Sequence, residues 1–165
     1  MTAGSGVVHG ENFPMINQHE PNTLRLFQIW LNLPKKSKMV DPMYVMHWSE
    51  EIPKFVTEDG LTTLTVWAGE EKGLHGLKPP PNSYASDPAS EVAIWLLTIK
   101  PGGAYTVPAA KGGSFVNRML YFVEGNAIEI GDRRFTSQIT VTVDAAQEVF
   151  VSNACKTTTA EVLML

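Results

Sequence analysis

The sequence predicts an all-β domain, a sandwich or barrel built from short strands. Apolar residues alternate with polar ones wherever a pattern exists, and glycine-containing turns punctuate the second half of the chain. Charged residues make up only 18% of the 165 residues, below the roughly 25% typical of soluble domains. That balance favours half-buried strands over solvated helices. Apolar residues reach 44%, enough for a packed core in one domain, or one domain plus part of another.

The chain opens on a glycine-flanked, β-branched run, Gly4-Ser5-Gly6-Val7-Val8-His9-Gly10-Glu11. On a strand, residues i and i+2 project from one face, so His9 and Glu11 point the same way. Leu24 to Leu33 alternates as a long strand stopped by Pro34, and the only helical hint is a short turn at Ser49-Glu50-Glu51, ended by Pro53. Leu61 to Trp67 and Glu91 to Ile99 read as strands, the second largely buried. Further strands are expected at Arg118 to Val123, Ala127 to Ile130, Ile139 to Val143, Glu148 to Val151 and Ala160 to Leu165. The turns between them are Pro101-Gly102-Gly103, Lys111-Gly112-Gly113, Glu124-Gly125-Asn126 and Gly131-Asp132. Gly76 to Pro88 is a proline-rich loop without periodicity, expected to be a pocket flap or simply mobile. The chain begins almost inside a strand and ends on the apolar Val162-Leu163-Met164-Leu165. Unprotected apolar edges are rare, so a fragment or an oligomer is expected.

Composition removes several function classes. A net charge of −4 and a pI near 5.5 give no electrostatic footprint for direct nucleic-acid binding. Lys35-Lys36-Ser37-Lys38 reads as a solvated loop. Cys155 is the only cysteine, which excludes an internal disulfide and a thiolate zinc cage, and it reads as a solvent-side or half-buried bystander. No apolar run approaches the ~20 residues that span a bilayer, and the N-terminus does not begin a signal peptide. The expected setting is reducing and cytoplasmic, with no membrane partner. Gly4-Ser5-Gly6 is not a phosphate loop, and no Gly-x-Ser-x-Gly elbow occurs.

A neutral imidazole beside a carboxylate is half of a ligand set for a redox-capable metal such as iron. His9 and Glu11 are therefore the candidate metal ligands. Three other histidines remain. His19 lies in a polar stretch and reads as a solvated loop, His47 reads as part of a strand, and His75 stands at the entrance of the proline-rich loop.

Thr2 to Glu11, Leu26 to Pro34, Lys38 to Tyr44 and Ser49 to Pro53 together resemble the middle of a pirin. The resemblance is specific over the first fifty residues and weakens after about Gly73, where mainly the strand and turn layout persists. It implies a bicupin, two small β-barrels in tandem, cut at both ends. Residues 1–41 would be a partial N-terminal cupin segment and residues 42–165 the C-terminal cupin barrel. The N-terminal cupin of pirins holds one iron through three histidines and a glutamate. His9 and Glu11 match the third histidine and the glutamate, while the upstream His-x-His strand has no counterpart. In the second barrel, anchoring on Pro101-Gly102 puts Pro108 and Ala110 in the histidine slots of a metal-binding cupin. Anchoring on Gly125 puts Arg118 in the glutamate slot, so that barrel is expected to be metal-free.

The resemblance implies an iron cofactor and two functions of different kind. One is a quercetin 2,3-dioxygenase-type enzyme acting on a flavonol, in which His9 is a neutral ligand and Glu11 an anionic ligand that also serves as general base. The other is a non-catalytic co-regulator that binds a transcription-factor protein, in the nucleus of a eukaryote. A metal-free scaffold is the third reading. For this chain alone, weak metal binding or none is expected, and its apolar remnant, with Phe27, Ile29 and Leu31, is expected to drive homo-oligomerisation.

Overall fold

A computed structural model describes residues 1–165. Every strand lies between Lys54 and Met164. In chain order they are β1 (Lys54–Val56), β2 (Thr62–Ala68), β3 (Glu70–Glu71), β4 (Leu74–His75), β5 (Ile94–Ile99) and β6 (Ala104–Val107). They continue with β7 (Asn117–Glu124), β8 (Ile128–Ile130), β9 (Arg133–Phe135), β10 (Ile139–Asp144), β11 (Val149–Asn153) and β12 (Ala160–Met164).

Two antiparallel sheets enclose one core. The larger has the order β1-β2-β5-β12-β7-β10 and the smaller β6-β11-β8-β9, while β3 and β4 form a separate hairpin. The alternation anticipated in the sequence does the sorting. Trp95, Leu97 and Ile99 of β5 point inward, as do Leu120 and Phe122 of β7, and all are buried. Leu64, Leu97, Val162 and Phe122 are register partners across β2, β5, β12 and β7, a row that crosses the larger sheet. From the other sheet Val107, Ile128, Ile130 and Val151 close over it. The result is the all-β, cupin-type barrel expected of the second half.

Several expectations need correction. The strand read over Leu24 to Leu33 is absent. A strand exists only where its amides find a ladder, and this segment has none. Instead Arg25 ion-pairs with Glu124 and Glu161, and the Phe27 ring lies 6.4 Å from Trp67, so the segment crosses the outer surface of the larger sheet. The N-terminal run likewise forms no strand: an isolated bridge joins Thr2 to Met43, and the Ser5 amide donates to the Val40 carbonyl at 3.0 Å. Gly4 is required there: its φ of +51° suits glycine, and a Cβ would fall 2.0 Å from the Val40 carbonyl oxygen. His47 lies outside any strand.

The apolar C-terminus is not an exposed edge. Strand β12 pairs with β5 on one side and β7 on the other, and Val162, Leu163 and Met164 are buried. The proline-rich loop is also organised. It contains two 3-10 turns, Tyr84–Ser86 and Pro88–Ser90, capped by the side chains of Ser83 and Asp87. The turn expected at Ser49–Glu51 is present, with the Glu51 amide donating to the Trp48 carbonyl.

Candidate metal centre

His9 and Glu11 flank Gly10 in a segment without ladder hydrogen bonds. Their side chains nevertheless share a face: His9 Nε2 stands 3.7 Å from Glu11 Oε1. Both are exposed, at 46% and 60% of the side chain. An imidazole nitrogen and a carboxylate oxygen at that separation can turn toward one cation, because neither is tied to another side chain.

The other histidines do not join them. His19 is exposed in a bend, His47 is half-buried, and His75 sits on β4 with its Nδ1 3.3 Å from Glu70 Oε2. No group of three or more His, Cys, Asp and Glu is placed to hold a metal ion. A site of three imidazoles and a carboxylate needs four donors. His9 and Glu11 fit half of that set, so by themselves they do not make such a centre.

The barrel brings together two of the positions compared with metal-ligand slots in the sequence. Arg118, in the glutamate slot, is 6% exposed and its Nη1 donates to the carbonyl oxygen of Pro108, in a histidine slot, at 2.7 Å. Burial lowers the guanidinium's pKa, opposed by the nearby Glu71 and Glu91 carboxylates. Sequence reasoning singled out Arg118 only as a residue unable to hold iron, and did not show what surrounds it. Tyr105, 5% exposed on β6, donates its hydroxyl to Glu71 Oε1 at 2.7 Å. Burial first, and then that hydrogen bond, raise the phenol's pKa. Beside it Glu70 ion-pairs with Lys111 on the loop after β6. Glu70 and Glu71 form a two-residue strand, too short to leave a periodic signal.

The barrel is that of a cupin. Among solved structures it resembles quercetin 2,3-dioxygenase from Acinetobacter baumannii, with a TM-score of 0.62 at 22% identity, over 82% of this chain and 42% of that one. No protein-family model matches the chain. It is 34% identical to a pirin-like protein of Solanum lycopersicum over 127 residues and 32% identical to human pirin over 126 residues. Each alignment covers 76% of this chain and 37% of the relative. A Pseudomonas aeruginosa protein that carries a provisional quercetin 2,3-dioxygenase assignment is 31% identical over 112 residues, 68% of this chain and 36% of that one. The chain belongs to the pirin family, and spans little more than a third of the length of these curated relatives.

Proposed function

We infer that this chain is the part of a pirin that supplies His9 and Glu11 to an iron site in the N-terminal cupin, with residues 1–41 belonging to that cupin and 42–165 to the second. The other two donors would come from outside the chain. The supporting observation is the geometry of the pair: an imidazole and a carboxylate 3.7 Å apart, both facing solvent. When bound, iron would supply Lewis acidity and redox chemistry toward oxygen. His9 would present a neutral nitrogen, and Glu11 would accept the hydroxyl proton of a flavonol-type substrate, as in a quercetin 2,3-dioxygenase. The provisional assignment of the Pseudomonas aeruginosa relative supports this class of reaction.

Anaerobic Fe(II) titration followed by metal analysis tests the ligand assignment. Binding weaker than stoichiometric, and lost in both His9→Ala and Glu11→Ala, supports it. Uptake that is the same in both variants and the parent chain overturns it.

A second reading, a protein-binding module, is favoured by apolar exposure. Val8, Ile16 and Trp30 are all more than four-fifths exposed within the first thirty residues. Such a surface would take a second copy of the chain or a partner protein.

A further inference from the structure

At one end of the barrel the register places Val66, Trp95, Met164 and Leu120 in one row across β2, β5, β12 and β7. Arg118 lies one inward position beyond Leu120, at the barrel mouth. Two strong donors end up there without full partners. The Trp95 indole N–H, on a side chain 4% exposed, has no hydrogen-bond partner in the protein. The Arg118 guanidinium, with five N–H groups, uses one on the Pro108 carbonyl and forms no ion pair. Buried donors left unpaired are costly, and native interiors rarely carry them without reason. A third donor, the Tyr105 hydroxyl, is already answered, and by a carboxylate. Glu71 reaches in from the β3–β4 hairpin to accept it at 2.7 Å.

We propose that the mouth of the second barrel is a carboxylate-binding site closed by its own surrogate, Glu71, and that a small organic monocarboxylate replaces Glu71 when the β3–β4 hairpin swings away. The donors at this end of the barrel suit that group: a phenol, an indole N–H and a guanidinium are each partners for a carboxylate and not for a cation. The floor is apolar, with Val66, Val107 and Met164 fully buried beneath, and suits a short hydrocarbon body. Charge does not oppose the exchange, because the incoming carboxylate replaces one that leaves for water. Glu91 stays where it is, its carboxylate packed against Gly112. The hairpin is a separate two-stranded unit, outside both sheets of the barrel. It contributes two residues to each strand and is bounded by Gly69 and Gly76, whose backbones hydrogen-bond. It is held by Leu74, which packs against the core, and by the exposed contact of Glu70 with Lys111. The site is separate from His9 and Glu11, so its failure would leave the iron assignment untouched.

Acetate is the probe. Glu71→Ala removes the surrogate and leaves the three donors in place. Calorimetric titration with sodium acetate, against sodium chloride at equal ionic strength, is expected to show saturable binding at least about tenfold tighter in Glu71→Ala than in the parent chain. Thermal unfolding of the variant should rise with acetate in parallel. The double variant Glu71→Ala, Arg118→Gln should lose the binding. If Glu71→Ala does not fold, Glu71→Gln keeps an acceptor for Tyr105 without the charge, and acetate should bind it more tightly than the parent. No acetate-specific binding in the variant that folds, an equal effect of chloride, or binding that survives the loss of Arg118 each overturns the proposal.

Discussion

Asn153 holds three backbone groups with one side chain. Its amide nitrogen donates to the carbonyls of Ile99 and Thr158, both at 2.8 Å, and its oxygen accepts from the Cys155 amide at 2.9 Å. The residue is 7% exposed, so Asn153→Ala leaves groups that water reaches poorly. The expected loss is about 2 to 3 kcal/mol of unfolding free energy, read from urea denaturation. Two residues on, Cys155 is less inert than its sequence context suggests. Hydrogen bonds from the Thr157 and Thr158 side chains, helped by their backbone amides, pull its thiol down to about 6. A lowered thiol pKa means thiolate at neutral pH. Its alkylation rate should therefore rise through a midpoint near pH 6, and Thr158→Val should move that midpoint upward. A midpoint near the ordinary thiol value in the parent chain would contradict the hydrogen-bonded geometry.

At the scale of elements, the barrel depends on the row that joins β2, β5, β12 and β7. Leu97 is fully buried at its centre, between Leu64 and Val162. Leu97→Ala is expected to cost roughly 3 kcal/mol through lost transfer energy and a cavity, whereas Phe150→Ala on the exposed face of β11 should cost little. Thermal melts of the two variants compare them directly. The turn between β7 and β8 makes a separate demand. Gly125 has a φ of +118° and a Cβ there would lie 3.0 Å from the Ala160 backbone. Gly125→Ala is therefore expected to destabilise far more than an ordinary loop substitution.

These elements also explain what was readable. Strand β7 alternates inward and outward, while β5 and β12 are short apolar runs bounded by turn signals, so their positions and the all-β class were legible. Strands β1, β3, β4, β6 and β9 run two to four residues and carry no periodic signal. Leu24 to Leu33 fails for the opposite reason. Its pattern is strong, but pairing needs a neighbouring strand, and alternation alone cannot supply one. The pairing of His9 with Glu11 followed from their spacing, while the meeting of Tyr105 with Glu71 is 34 residues apart in sequence and set only by the closed barrel.

On the scale of the whole molecule, two regions behave differently. Residues from Lys54 to Met164 bury a continuous core, while the first fifty lie mostly exposed, with Met15, Ile16 and Trp30 facing solvent. No helix is long and apolar enough to cross a membrane. So much exposed apolar surface is expected to self-associate. Sedimentation should show concentration-dependent dimers or larger species, and Trp30→Ser with Ile16→Ser should reduce them. A clean monomer of the parent chain at high concentration would contradict that.

We propose that His9, rather than any other histidine, belongs to the metal centre. Histidine-ring NMR during a titration with substoichiometric Mn(II) tests it most directly, since a bound paramagnetic ion broadens the nearest imidazole first. The account requires His9 to broaden ahead of His19, His47 and His75, and that order to disappear in Glu11→Ala. Equal broadening of all four rings, or earlier loss of another, would contradict the assignment.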